Sequence, residues 1–385
     1  MKVTALVQLE IEVPGEFWFP DVEPVLQALQ DQHGVSAYVL SCQQAEAEHT
    51  TYVMLPADYV RLPADAPAAP TAPAWTQAGW YADALPWIDE HLPAPRTGPP
   101  VQVRVWGLSN VLRIPTTEGL VYFKAHAHSS TLPPAELPLL FAHEPQLLTA
   151  LEGAVPRPLA VDEKRVWMLL PDLGAPLAAQ SDISVWIEAV RSHARLQRSY
   201  VGRADHLLDI SCVDRRLAVL DAELDQLLGD NPATARLEPH ERDELAARRP
   251  ELRSAIAELA AIGVPETLLH GDLHPRNIAV RDGQVLAFDW TDAALSHPFL
   301  DMVTFVEKRS PLSMDDRVRD AYLEEWTEYA PMADLRRALE LAHQLGALHQ
   351  VMTSLHLMHN VTGPDRESMT RGAFWWLRLV NGTVR

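Results

Sequence analysis

The sequence predicts an α+β chain in which a small antiparallel sheet is followed by a mainly helical region, with a separate small α+β module in front. Three observations carry this. Short alternating strands joined by turn residues run from Val101 to Ala125. Apolar residues at helical spacing dominate from Ser184 onward. A Pro/Ala-rich stretch, Pro63–Pro73, separates these regions from the N-terminal residues, and such a composition favours a semi-extended linker. The division expected is a module over 1–62, a linker over 63–74, a sheet-bearing lobe over 75–170 and a helical lobe over 171–385.

In chain order, Met1–Glu12 alternates as a strand, Val22–Leu29 has helical spacing, and Val35–Leu40 and Thr51–Leu55 read as further strands. No catalytic constellation is visible among them. After the linker, Trp80–Leu92 reads as a helix, with Pro86 marking a kink or the true start. Val101–Trp106, Val111–Pro115 and Leu120–Ala125 are strands, joined by the small polar loop Gly107–Asn110 and by a turn at Thr116–Gly119. Arg165–Leu170 is apolar enough for an inner strand and ends at the break Pro171–Gly174. Helices follow over Ser184–Leu196, Leu217–Leu228 and Glu238–Ile262, the last interrupted at Arg249-Pro250, and a long one runs over Asp334–His359. Phe374–Leu377 reads as the core anchor of a final helix.

Composition bounds the function. With 385 residues, 47% of them hydrophobic, the chain can bury a large core in more than one domain. No apolar run reaches the roughly 18 residues that a membrane span needs, and the N-terminus reads as a strand rather than a signal peptide. Two widely separated cysteines, Cys42 and Cys212, point to a reducing cytoplasm and no disulfide framework. A formal charge of −20 argues against nucleic acid and anionic membranes as partners and is compatible with a cationic substrate.

The chemistry concentrates in His270–Asn277 and Phe288–Trp290. An Asp (Asp272), an Asn five residues later (Asn277) and a second Asp twelve residues after that (Asp289) share one local unit. Phosphoryl transfer from a nucleotide uses such a set: one carboxylate orients the attacking hydroxyl, and an amide with a second carboxylate holds Mg²⁺ on the triphosphate. Between Asn277 and Asp289 lies Asp282-Gly283, a strong hairpin signal. Folding the hairpin brings two oxygen donors to one open end, which suits a hard cation that keeps waters and phosphate oxygens in its shell. His270, Asp272 and His274 also alternate like metal ligands, but neither an H-E-x-x-H pattern nor a Cys pair completes a catalytic zinc set.

These loops resemble the catalytic and metal-binding loops of the aminoglycoside phosphotransferase and choline kinase-like family. The resemblance implies a two-lobed, protein-kinase-like fold and phosphorylation of small-molecule hydroxyls by ATP or GTP with Mg²⁺. It makes Asp272 the catalytic base, Asn277 and Asp289 the Mg²⁺ ligands, His270 a structural member of the loop and Asp301 its brace. It makes residues 75–170 the nucleotide-binding small lobe and 171–385 the catalytic large lobe, with the hinge at Pro171–Gly174. Lys124 matches the lysine on the third strand that neutralises the α- and β-phosphates, and Glu144 the acidic residue that holds it. Gly107–Asn110 takes the place of a phosphate loop, with Ser109 and Asn110 near the phosphates. Two positions depart from the family: Arg276 stands where a small residue is usual, and Thr291 where Gly or Glu is frequent.

The expected function is a small-molecule kinase whose acceptor is a hydroxyl compound, cationic or sugar-like among the options. The alternative is a catalytically weak nucleotide-binding regulator or a partner-binding protein. Asp214-Arg215-Arg216 could bind phosphate or carboxylate, or simply sit at a helix start. His349 and His356, seven residues apart, share a helix face and could line the acceptor site or only pack.

Overall fold

A computed structural model describes residues 9–13, 15, 18–46, 49–57, 73–127, 141–307 and 312–383. The N-terminal part contributes helix α1 (Glu23–His33) and the antiparallel hairpin β1 (Ala37–Ala45) and β2 (Thr50–Pro56). Gly34, with φ 67°, closes α1, as a left-handed cap position favours. The strand expected over Met1–Glu12 falls mainly on residues outside the described ones, and so does most of the linker. At the linker's end Ala74–Thr76 forms a 3₁₀ turn that buries Trp75, and helix α2 (Ala78–His91) follows with Pro86 inside it.

The small lobe is a five-stranded antiparallel sheet. Strands β3 (Val101–Val105), β4 (Ser109–Thr116) and β5 (Gly119–His126) form a meander, and helix α3 (Glu144–Ala150) leads to β6 (Ala160–Asp162) and β7 (Trp167–Pro171). The order is β3-β4-β5-β7-β6, so β7 is internal and apolar Trp167, Met168 and Leu169 are buried in it. Ser109 and Asn110, expected in a loop, instead open β4. The N-terminal module shares a core with this lobe: Val22, Tyr38 and Val39 pack with Trp80, Tyr81, Leu112 and Phe123. The Gln102 side chain imitates a strand, accepting from the Val39 N–H (2.7 Å) and donating to the Val39 carbonyl (3.0 Å). The Tyr38 ring stacks on Tyr81 at 4.2 Å.

The large lobe begins with β8 (Ala175–Pro176), α4 (Ile183–Ser199), α5 (Ala204–Asp209), β9 (Val213–Asp214), α6 (Leu217–Leu227), α7 (Pro239–Ala247) and α8 (Arg249–Ile262). Short strands β10 (Thr267–Leu269), β11 (Ile278–Arg281), β12 (Gln284–Ala287) and β13 (Ala294–Ser296) carry the polar loops. Helices α9 (Asp301–Glu307), α10 (Asp316–Glu324), α11 (Met332–Leu357) and α12 (Gly363–Val380) complete it. Strands β11 and β12 pair as the expected hairpin, and β8 adds to the other edge of β11. The second strand stops at Ala287 rather than Trp290, because Asp289 adopts φ 65° and turns the chain. β13 pairs antiparallel with β10 and parallel with β9. The core beneath is helical, with Trp186, Leu268, Trp290, Phe299, Tyr322 and Leu348 fully or almost fully buried in one cluster. Of the expected anchor Phe374–Leu377, Trp376 and Leu377 are buried.

Candidate active site

The loop from His270 to Asn277 joins β10 to β11, and its shape is imposed from below. Asp301, at the start of α9, is 1% exposed. Its Oδ2 accepts from the His270 N–H (3.0 Å) and its Oδ1 from the Gly271 N–H (2.8 Å). Gln197 Nε2 donates to Oδ2 at 3.0 Å, and His193 Nε2 lies 2.9 Å from it. A buried carboxylate is tolerated when donors satisfy it in this way, and here it fixes two successive backbone groups of the loop. Gly271 has φ 87°, and a Cβ there would meet the Asp292 carbonyl at 2.2 Å, so only glycine fits. The His270 ring reaches the Phe288 carbonyl (3.0 Å) and its Nδ1 accepts from the Asp272 N–H (3.3 Å). Burial lowers its pKa and keeps the ring neutral.

Further along, the Asp272 carbonyl accepts from the His274 N–H (2.9 Å) and from Asn277 Nδ2 (3.1 Å). Asn277 thus spends its amide nitrogen on the loop, which leaves its amide oxygen as the donor available to a cation. The Phe288 N–H donates to the Asn277 carbonyl at 2.8 Å, which ties Asn277 to the residue before Asp289. The Asp272 side chain is 29% exposed, with His274 Nε2 3.6 Å away. Arg276, the departure from the family pattern, is exposed.

The second group of charges spans both lobes. Lys124 on β5 donates from Nζ to Glu144 Oε2 at 2.6 Å and also to Asp289 Oδ1. The other Glu144 oxygen accepts from the Trp290 N–H at 2.8 Å, and His126 Nε2 lies 3.1 Å from Oε2. Glu144 is fully buried at the start of α3, where the helix N-terminus favours an acidic side chain. Burial alone would depress the Lys124 ammonium, but the Asp289 and Glu144 carboxylates outweigh it and hold the pKa up. Burial works to raise both carboxylates, and Lys124 outweighs it and holds them down. Lys124, Glu144 and Asp289, separated by up to 165 residues in sequence, therefore form one charged triad in space.

The structure reassigns two expected phosphate-loop residues. Asn110 is fully buried and its amide is spent within the small lobe: Nδ2 donates to the Tyr81 hydroxyl (3.0 Å) and Oδ1 accepts from Gln102 Nε2 (2.9 Å). Ser109 is 3% exposed and accepts from Trp106 Nε1 at 2.8 Å. Because β4 begins at Ser109, both side chains are committed to holding the strand. The Gly107 N–H, a candidate phosphate donor, is bonded to Asp365 Oδ2 of α12 at 3.0 Å. Leu108 packs with Phe141, Leu357 and Val361, so the loop rests on the large lobe.

Several residues of the site had not been singled out from sequence. Asp292 is 8% exposed and accepts from Thr291 Oγ1 at 3.0 Å. Burial, then the Asp272 charge, pushes its pKa up to about 7. Gln350 on α11 donates to the Gly271 carbonyl at 2.5 Å. Asp292 lies two residues past the Phe288–Trp290 stretch, a signal that could have flagged it; Gln350 and Asp365 carry none. Arg215 and His356 do meet, with Arg215 Nη2 2.6 Å from His356 Nδ1, whereas Arg216 turns away into an ion pair with Asp214 (2.6 Å).

Comparison with known proteins bears on this geometry. Residues 100–335 match the model of the phosphotransferase enzyme family, more than half of the chain. No curated protein matches it in sequence. Among solved structures, it is similar to a choline/ethanolamine kinase family protein from Mesorhizobium loti, with 16% identity and a TM-score of 0.52, covering 78% of this chain and 94% of the other. A choline kinase from Cryptosporidium parvum gives 9% identity and a TM-score of 0.53 over 79% of this chain and 96% of the other. The macrolide 2'-phosphotransferase MphH from Brachybacterium faecium gives 18% and 0.49 over 76% and 97%. With a sheet lobe, a helical lobe and a family match running through both, the chain is a member of the phosphotransferase enzyme family, with the two-lobed, protein-kinase-like fold.

Proposed function

We propose that the protein transfers the γ-phosphoryl group of ATP or GTP to a hydroxyl of a small molecule, with Asp272 as the base. The single observation that carries this is the Lys124–Glu144–Asp289 triad beside a braced Asp272 loop. The donor set fits Mg²⁺: one carboxylate oxygen pair from Asp289 and one amide oxygen from Asn277, with room for phosphate oxygens and waters. Among the described residues no group of three or more His, Cys, Asp or Glu side chains is placed to hold a metal, so the phosphates would supply much of the coordination. When bound, Mg²⁺ neutralises charge on the phosphate oxygens.

The chain's own residues would do the rest. Lys124 is held by Glu144 at the height of Asp289, where its ammonium can meet the α- and β-phosphates. Asp272 would accept a hydrogen bond from the acceptor hydroxyl and take its proton as the acceptor O–P bond forms. The bond from the γ-phosphorus to the β-phosphate bridging oxygen breaks, and the nucleoside diphosphate leaves with that electron pair. Positioning and electrostatics supply most of the acceleration in such transfers. Asp301 would act only by fixing the loop that presents Asp272.

Thermal stabilisation by ATP and by GTP, each with and without Mg²⁺, tests the nucleotide half. The expected result is a Mg²⁺-dependent rise in Tm that Asp289→Asn removes. No shift at millimolar nucleotide would overturn it. Release of ADP or GDP over a panel of alcohols then tests the transfer.

A further inference from the structure

Arg215 is a buried cation with no direct ion pair among the described residues. It is 3% exposed, and its backbone is locked to β13: its N–H donates to the Leu295 carbonyl (2.9 Å), and its carbonyl accepts from Ser296 Oγ (2.7 Å). β13 begins two residues after Asp292, so this guanidinium is rooted in the strand that follows the Asp289 segment. Among the described residues no carboxylate lies within 4.0 Å of it, and its one side-chain partner is His356 Nδ1. His356 is kept neutral, with burial and then the Arg215 charge lowering its pKa to about 4, so it accepts from the guanidinium without offsetting its charge. Glu223 and Asp292 act on Arg215 from beyond ion-pair distance, and Glu223 Oε2 lies 3.7 Å from His356 Nε2 on the far side of that ring.

A second group points to the same place. His349 lies two turns before His356 on the same face of α11 and is 3% exposed. Its Nε2 is buried without a hydrogen-bond partner. It is held neutral by burial and by Arg215. The adjacent Gln350 touches the Gly271 carbonyl, next to Asp272. The same stretch of α11 thus touches the catalytic loop through Gln350 and Arg215 through His356. A buried charge without a counter-ion and a buried ring nitrogen without a partner are both costly. A guanidinium offers a planar fork of donors that matches an oxyanion.

We propose that Arg215, flanked by His349 and His356, binds an anionic group on the acceptor, so that the physiological substrate is an alcohol that also carries a carboxylate or a phosphate. This rests on the phosphotransferase reading above and sharpens its acceptor half. It runs against the cationic acceptor that the net charge of −20 is compatible with; the local field at a desolvated arginine outweighs a distant, screened surface charge.

The test uses the full chain loaded with Mg²⁺ and nucleotide, and four classes of alcohol: hydroxy and sugar acids, phosphorylated polyols, neutral polyols and sugars, and amino alcohols. Expected is turnover, read as nucleoside diphosphate release, confined to the first two classes. Which of the two responds identifies the anion as carboxylate or phosphate. Arg215→Gln should raise KM for that acceptor about 100-fold, the loss of a bidentate charged contact, with a much smaller change in kcat. Arg215→Lys, which keeps the charge but loses the fork, should fall between and guards against a misfolded glutamine variant. His349→Asn should raise the same KM less. Turnover of a neutral or amino alcohol with KM unchanged in Arg215→Lys and His349→Asn would overturn the inference and leave the phosphotransferase reading intact. No turnover in any class, with the Mg²⁺-dependent nucleotide shift present, would also count against it. Loss of the nucleotide shift itself would instead fail the reading on which it rests.

Discussion

Two cations are buried within this protein, and they are treated in opposite ways. Lys124 sits between two carboxylates, Glu144 and Asp289, and every charge in that group has a partner. Arg215 sits against a neutral imidazole, with its nearest carboxylates beyond ion-pair distance among the described residues. The first arrangement is self-sufficient: it holds the two lobes in register, and a ligand must compete with bonds already made. The second is incomplete and gains most from what it would bind. Under the reading proposed above, the first residue organises the site and the second takes up a substrate anion.

Four experiments would break or sharpen this contrast. The largest effect concerns Asp272. Asp272→Asn should lower kcat by about 10²–10⁴, the usual range for loss of a positioned general base, while the Mg²⁺-dependent nucleotide shift survives. Near-normal turnover would remove Asp272 from its assigned role.

Next come the cations themselves. Lys124→Met leaves Glu144 and Asp289 facing each other without a counter-charge, and should cost about 3–5 kcal/mol of stability, as breaking a buried pair does. Arg215→Met removes a charge with no direct ion pair among the described residues, and should lower Tm less than Lys124→Met does, in denaturation of the apoprotein. Equal destabilisation by both substitutions would erase the distinction.

The third effect is a pH dependence. His349 is held to about 3 by burial and by the Arg215 charge, while a free imidazole titrates near 6.5. Protons therefore enter the unfolded chain first. The stability that the neutral ring represents is fully present above about 6.5 and is lost as pH falls toward 3. Asp292, raised to about 7, contributes with the opposite sign, gaining stability as pH falls from there toward 3.8. The measurement is thus a difference: Tm against pH for wild type minus His349→Gln should decline on acidification. Arg215→Met should flatten that decline by removing the largest of the charges that lower the ring's pKa.

The smallest effect tests the contact between lobes. Asp365→Asn keeps the size of the side chain but weakens the acceptor for the Gly107 N–H. It should reduce stability by about 0.5–1.5 kcal/mol, the range for a single hydrogen bond, and raise the protection loss of residues 106–109 in hydrogen exchange.

What could be read from sequence follows the range of the interactions. The β11–β12 hairpin was legible because the Asp282-Gly283 turn and the spacing of Asn277 and Asp289 are local. Lys124 and Glu144, which meet at 2.6 Å, were singled out from their order and from resemblance, and the two-lobed architecture was likewise implied by the resemblance. Asn110 was misread because its partners, Tyr81 and Gln102, lie on an earlier helix and a neighbouring strand; a polar residue after Gly and Ser looks like a loop until those partners are in place. Arg215 and His356 are 141 residues apart and Gly107 and Asp365 are 258 apart, so neither contact leaves a trace in local pattern. The docking of the N-terminal module through Gln102 and Val39, 63 residues apart, was invisible for the same reason.

Asp289 carries one more consequence. Its φ of 65° places a side-chain-bearing residue in a region where glycine and asparagine rest more comfortably, at a cost of order 1 kcal/mol or more. Gly or Asn would relax the turn but forfeit the charge that Lys124 meets, so the strain at this turn is offset by an ion pair made across the lobes.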